Sequence, residues 1–206
     1  MNRCVIIGGA EIGDYDRVRR ALHDDDFCIY CDSGLKHEKG IGRKPDLIVG
    51  DFDSHEQPET DTETIVLPCE KDDTDTVFAV REAVRRGFGD FLLIGVIGER
   101  FDHTFGNVSI LLYLDSLGKT ARIMDDYSEM EIVSRKAAEV DGSFSFFSLL
   151  NISGTAKGIT IRGAKYPLDG GEIRSDYQYG ISNEVLPGKT AVVSLREGCV
   201  LLVKVY

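Results

Sequence analysis

No apolar run in the chain approaches the roughly 18 to 20 residues that a membrane-crossing helix needs, the longest being stretches such as 144–150. A spanning helix is excluded and no membrane partner is expected. Positive charge is also scarce: 24 Lys and Arg stand against 35 Asp and Glu, a formal charge of −11 that repels a phosphate backbone and argues against a nucleic-acid partner. The five cysteines are odd in number and scattered, which gives no disulfide framework. Cys28 and Cys31 form a CxxC, but in an extended run residues three apart point to opposite faces, so the pair reads as two core thiols. With only 5 prolines, no low-complexity tract and 42% hydrophobic residues, the composition is that of a folded globular domain. Residues 1–7 lead directly into a strand-like run without the apolar segment and cleavage site of a secretory signal, so the expected compartment is the cytoplasm.

Several catalytic signatures are missing as well. There is no Walker A sequence, no Gly-x-Ser-x-Gly elbow and no Cys–His pairing, and Gly8-Gly9-Ala10 lacks the GxGxxG spacing of a dinucleotide fingerprint. The four histidines show no metal-ligand spacing, and the run Asp24-Asp25-Asp26 reads as a solvated turn.

What the chain does contain is an alternation of short β-rich runs and helical patterns, the signature of a mostly parallel α/β sheet. Strands are expected at 3–7, 27–31, 46–49, 64–67, 91–96 and 120–124, with helices at 15–22, 75–86 and 105–117. Beyond about residue 125 the helical signal ends. Short runs at 131–134, 144–150, 157–162, 180–183, 190–195 and 200–205, punctuated by turn residues, suggest an antiparallel β-sandwich. The expected domains are therefore an α/β unit at 1–126 and a sandwich at 127–206.

Unusual carboxylates follow the strand ends. Asp32-Ser33-Gly34 follows the second strand, Asp51-Phe52-Asp53 the third, Lys71-Asp72-Asp73-Thr74-Asp75 the fourth and Glu99-Arg100-Phe101-Asp102-His103 the fifth. In an open parallel sheet the carboxyl ends of the strands form the ligand crevice, so four acidic loops converge on one edge. In an extended segment Asp51 and Asp53 project to one side and make a clamp of hard oxygens suited to Mg²⁺ in phosphoryl-type transfer. Asp75 reads either as a third ligand or as a helix cap, and Asp72 and Thr74 compete for the capping role. Arg100 is suited to a polyphosphate oxygen, with a salt bridge to Asp102 as its other reading; His103 and Asn107 begin the next helix. Asp53 or Asp75 could accept the proton of an attacking hydroxyl.

Taken in order, these segments, with Pro45 to Ser54 and Ser182-Asn183, resemble the thiamine pyrophosphokinase family, and the match runs through nearly the whole chain. The resemblance implies transfer of a diphosphate from ATP to the thiamine hydroxyl, with AMP released, and a homodimer whose thiamine pocket lies between one subunit's crevice and the other's sandwich. It implies Asp51, Asp53 and Asp75 as Mg²⁺ ligands and Asp53, Asp75 and Arg100 as the catalytic set. On the nucleotide side it implies Asp32, Ser33, Lys71, Asp72, Thr74, Asp102 and Asn107, and on the thiamine side Ser182 and Asn183. The first acidic loop reads Asp-Ser-Gly where Asp-Gly-Gly is more familiar, which puts a side chain close to the nucleotide. The acidic crevice alone is also compatible with another alcohol acceptor such as a hydroxymethyl-pterin, with a metal-dependent phosphohydrolase, or with a nucleotide-binding regulator.

Overall fold

The computed structural model describes residues 3–52, 60–70, 72–154 and 156–206, and the sequence candidates Asp53 and Lys71 lie outside them. The chain divides into two compact units, Met1–Asp126 and Tyr127–Tyr206.

In the first unit the strands are β1 (Cys4–Ile7), β2 (Phe27–Cys31), β3 (Leu47–Gly50), β4 (Thr64–Val66), β5 (Asp90–Ile94) and β6 (Thr120–Met124). They lie side by side in the order β6-β5-β1-β2-β3-β4, all parallel. The helices are α1 (Tyr15–Ala21), α2 (Glu38–Ile41), α3 (Asp75–Arg85) and α4 (Phe101–Ser116). Central strands read as unbroken apolar runs because both faces are covered: every residue of β1 and β3 is buried. Val5, Ile7, Cys28, Tyr30, Leu92 and Ile94 meet Val18 of α1 and Ile41 of α2 on one face. The alternate residues face the other way, where α3 packs against β1, β2 and β3 and α4 against α3 and β6. β1 pairs with β2 on one side and β5 on the other, so the chain reverses its direction of strand addition there. That switch point opens a crevice at the carboxyl ends of β1 and β5.

Three details differ from the sequence expectation. Asp32–His37 is not a loop but a 3-10 turn running into α2. The fourth helix begins at Phe101 rather than Phe105, and its first turn faces solvent: Phe101 and Phe105 are 76% and 60% exposed. Asp26 is not solvated. It is buried and takes both Nε and Nη2 of Arg3, at 3.0 and 2.7 Å, and the backbone N–H of His23 at 2.7 Å. Burial alone would push its pKa up, but Arg3 and the His23 amide outweigh that and hold it below the usual carboxylate range. Cys28 and Cys31 are buried free thiols, as expected, and burial pushes Cys28 up to about 11.

The second unit is a sandwich. Its strands are β7 (Ser128–Val133), β8 (Ala138–Val140), β9 (Phe146–Leu150), β10 (Ala156–Arg162), β11 (Leu168–Glu172), β12 (Gly180–Asn183), β13 (Ala191–Ser194), β14 (Glu197–Gly198) and β15 (Val200–Val205). One antiparallel sheet runs β12-β9-β15-β7 and the other β11-β10-β13-β8, with β14 beside β10. Val133, Phe147, Leu149 and Leu202 from the first interdigitate with Val140, Ile159, Ile161 and Val193 from the second. β8, β11 and β14 escaped the sequence reading. β11 reads Leu-Asp-Gly-Gly-Glu with no buried residue, so no alternation marks it.

Two consequences are measurable. Asp26→Asn leaves Arg3 buried without its counter-charge and should lower the unfolding free energy in urea by about 3 kcal/mol, whereas Arg3→Met with Asp26→Leu should lose much less. Glu82 of α3 is held by Arg85 and then Arg86, which pull its pKa from the ordinary 4.5 to about 2. The unfolded state therefore binds more protons between those values, and the contribution of Glu82 is complete above pH 4.5 and lost as pH falls toward 2. The stability difference between wild type and Glu82→Gln in denaturant titrations should shrink across that window.

Candidate active site

Two strand ends and the start of one helix bring three carboxylates together. Asp32 directly follows β2, Asp51 directly follows β3, and Asp75 opens α3, whose cap is Thr74, its Oγ1 accepting from Val77 N at 3.3 Å. One carboxylate oxygen from each of Asp32, Asp51 and Asp75 lies within 4.8 Å of the others, and all three residues are half-buried. Oδ1 of Asp32 is buried with no hydrogen-bond partner among the described residues. Two full charges at this spacing repel by on the order of 3 kcal/mol at an effective dielectric near 20. A cation at this point would offset that repulsion, and an all-oxygen donor set with room for water and phosphate suits Mg²⁺.

The backbone at these positions is held in unusual conformations. Among the described residues, the non-glycine residues with positive φ are Asp32 (35°), Phe52 (52°) and Ser182 (60°), each within a segment the sequence had singled out. The left-handed turn at Phe52 corrects one premise: the segment after Asp51 is not extended, so simple alternation does not place Asp51 and Asp53 on one side. Gly50 allows the two acidic turns to abut, since a Cβ there would sit 3.0 Å from the Asp32 Cβ.

Beside this cluster, at the switch point, lies a cavity of about 380 Å³. Its walls are the turn after β1 (residues 8–11), Ser33 and Thr76 next to two of the carboxylates, and the segment after β5 that ends at Arg100, with His103 and Asn107 of α4. Gly9 and Ser33 fit together: a Cβ on Gly9 would come within 1.8 Å of the Ser33 Oγ. Gly8-Gly9-Ala10, set aside in the sequence for lacking a fingerprint, thus forms a wall of the cavity; the signal was two glycines immediately after a strand.

The other nucleotide-side candidates have definite partners. Arg100 grips Asp102 through Nε at 3.2 Å and Nη2 at 2.6 Å, both groups exposed, and the guanidinium holds the Asp102 carboxyl at about 2. Asn107 is buried and donates Nδ2–H to Val96 O at 2.7 Å, while Thr104 Oγ1 bonds Gly98 N and O, each at 3.1 Å. Both fix the Arg100 loop. Asp72 is exposed, and its neighbour Asp73 pairs with Arg81.

In the sandwich, Ser182 is exposed on β12 and its N–H donates to Ser148 Oγ at 3.0 Å. The Asn183 side chain is buried and engaged: its Oδ1 accepts from Tyr166 N and Glu184 N at 3.0 and 2.9 Å, and its Nδ2 donates to Tyr166 O at 2.8 Å. Next to them an apolar cavity of about 200 Å³ is lined by residues including Tyr166, Leu168, Tyr179 and Ile181.

Comparison with known proteins agrees with this division. The sequence model "Thiamin pyrophosphokinase, catalytic domain" matches residues 12–124, and "Thiamin pyrophosphokinase, vitamin B1 binding domain" matches residues 130–200. The chain is 25% identical to the thiamine pyrophosphokinase of Bacillus subtilis (strain 168) over 184 residues, 85% of this chain and 86% of that one. The crystal structure of thiamine pyrophosphokinase from Bacillus subtilis superposes with a TM-score of 0.88 at 21% identity, covering 99% of each chain. The enzyme from Geobacillus thermodenitrificans gives 0.84 at 27% identity, over 99% of this chain and 97% of the other. A parallel sheet with carboxylates converging at its carboxyl edge, a β-sandwich behind it in sequence, and both matched sequence models lead to one statement: the chain belongs to the thiamin pyrophosphokinase family of ATP-dependent transferases.

Proposed function

We propose that this chain transfers a diphosphate from Mg·ATP to the hydroxyl of thiamine, giving thiamine diphosphate and AMP. The observation that carries this is the meeting of Asp32, Asp51 and Asp75 at one edge of the sheet, beside a cavity walled by glycine-rich backbone and Arg100. The unit 1–126 takes the nucleotide and the unit 127–206 the vitamin.

Asp51, Asp53 and Asp75 hold the metal, and the position of Asp32 adds its carboxylate to that set. Bound there, Mg²⁺ neutralises the charge on the phosphate oxygens and favours attack at phosphorus. Arg100 exchanges Asp102 for the polyphosphate as the nucleotide enters, its exposed bidentate pair being the kind that contributes little and is readily broken. Ser33, Lys71 and Asp72 are assigned to the nucleotide side, while Thr74 caps α3 and Asn107 holds the Arg100 loop in place. Asp53 or Asp75 receives the proton of the thiamine hydroxyl. In this scheme positioning and charge neutralisation supply most of the rate, as expected for transfer that needs little covalent help.

The second substrate is proposed to bind where a partner subunit completes the crevice, with Ser182 and Asn183 of the partner subunit toward the thiamine. Supporting a homodimer, α4 exposes Phe101, Phe105 and Tyr113, and Leu117 caps it, residues spaced four or eight apart with Ser109 between, beginning next to Arg100, an exposed apolar set of the kind interfaces cover. No helix among the described residues is long and apolar enough to cross a membrane. The cytoplasm remains the proposed compartment, and the free exposed Cys69 and partly exposed Cys199 suit a reducing one.

The direct assay is AMP release from ATP and Mg²⁺ with and without thiamine, with the product identified by mass. AMP only with thiamine, and thiamine heavier by a diphosphate, is the expected result; phosphate or diphosphate release without an acceptor would show a hydrolase instead. Asp51→Asn should lower kcat at least about 100-fold while leaving the melting temperature without Mg²⁺ unchanged or raised, because it removes repulsion from the cluster. Mg²⁺ should then raise the melting temperature of wild type but not of this variant.

A further inference from the structure

The wall of the nucleotide cavity formed by residues 8–11 is not held by strand pairing beyond its two bonds to the end of β5, Gly8 N to Ile94 O at 2.9 Å and Ala10 N to Gly95 O at 2.8 Å. Its other anchor is His37, the last residue of the turn that starts at Asp32. His37 is 1% exposed, and its imidazole spans two groups: Nε2 lies 2.8 Å from Ala10 O and Nδ1 lies 2.7 Å from the Tyr15 hydroxyl. A carbonyl oxygen only accepts, so Nε2 carries the proton and donates to Ala10. Nδ1 is then the acceptor, and the Tyr15 hydroxyl donates to it. Burial pushes the His37 pKa down against the effect of the Ala10 carbonyl, which favours this neutral form. Tyr15 is itself seated, because the absent side chain of Gly40 makes room for its ring; a Cβ there would lie 2.4 Å from Cε1. One residue before His37, Lys36 Nζ reaches Glu11 Oε1 at 2.5 Å, a second tie between the same two segments.

One end of the 32–37 turn thus carries a carboxylate of the cluster and the other end holds the 8–11 wall of the cavity. We propose that His37 is a positioning residue for nucleotide binding: through Ala10 it holds the 8–11 segment against the turn that starts at Asp32, and so fixes the shape of this wall of the cavity that takes the triphosphate of ATP. His37 is not among the residues that line the nucleotide cavity, and it acts through Ala10. This inference rests on reading the cavity as the ATP site, and it assigns a role to a histidine that the sequence analysis had passed over for lacking metal-ligand spacing.

The test is Mg·ATP binding to the full chain without thiamine, measured by calorimetry, together with steady-state kinetics for both substrates. His37→Leu keeps apolar bulk and loses both bonds; His37→Gln keeps one donor and one acceptor. His37→Leu should weaken Mg·ATP binding and raise KM for ATP about tenfold, the effect of one to two lost buried hydrogen bonds. KM for thiamine should stay within about twofold, and His37→Gln should recover most of the loss. Tyr15→Phe, which removes only the hydroxyl, should fall between wild type and His37→Leu and serves as the readout if His37→Leu does not fold. Unchanged Mg·ATP affinity in folded His37→Leu or in Tyr15→Phe overturns the proposal, as does an equal rise in both KM values or no recovery in His37→Gln. If wild type binds Mg·ATP but does not use thiamine, the acceptor reading fails while the His37 comparison still decides this one. If wild type binds no Mg·ATP, the cavity reading and this proposal fall together.

Discussion

The convergence of three carboxylates at one edge of the sheet is the constraint around which the first unit is arranged. Asp32, Asp51 and Asp75 come from separate elements, yet one oxygen of each lies within 4.8 Å of the others. Flexible loops would relax by turning these side chains into water. They are held because each follows or opens a rigid element: β2 and β3 are paired through Ile29↔Leu47, Tyr30↔Ile48 and Cys31↔Val49, and α3 packs on both. The left-handed conformations of Asp32 and Phe52 are the local cost of aiming the turns at one another, and they persist because the buried strands beneath them leave no alternative. Preorganised charge of this kind favours a cation at one place, and the strands beneath supply the stability that holds it there.

The opposite edge of the same sheet handles charge differently. There each buried carboxylate is matched by arginine, Asp26 by Arg3 and Glu82 by Arg85 and Arg86, with Arg86 also reaching Glu63. Phe27 and Phe88 pack against each other at 5.1 Å on that side, and Arg86 lies over Phe27. Paired charges at the amino edge and crowded carboxylates at the carboxyl edge give one sheet a structural end and a chemical end, as the parallel topology allows.

Much of this was legible in the sequence, for reasons visible in particular residues. The buried strands announce themselves because Val5, Ile6 and Ile7, or Leu47, Ile48 and Val49, form short apolar runs between turn residues, and α3 because Val77, Val80, Ala83 and Val84 recur at helical spacing. The acidic loops could be placed at strand ends for the same reason. What pattern reading could not reach depends on tertiary contact. The first turn of α4 faces outward and packs on no core, with Asp102, His103 and Thr104 between its two exposed phenylalanines; Asp26 in a run of three aspartates differs from Asp24 and Asp25 only in having Arg3 behind it. Asp32 stood in sequence as a neighbour of the metal site, and only the pairing of β2 with β3 brings its carboxylate into the cluster. His37 and Gly9 have no motif at all, because their roles come from what lies across a gap of more than twenty residues.

The central claim is that the Asp32, Asp51 and Asp75 edge is where metal and nucleotide meet. Crystals grown with Mn²⁺ in place of Mg²⁺ and a non-hydrolysable ATP analogue would locate the metal by anomalous scattering. The account predicts an anomalous peak bound by oxygens of these aspartates, at about 2.0 to 2.3 Å, with the analogue's phosphates between them and residues 8–11. A metal bound elsewhere, or a nucleotide seated at the amino edge beside Phe27 and Phe88, would contradict it.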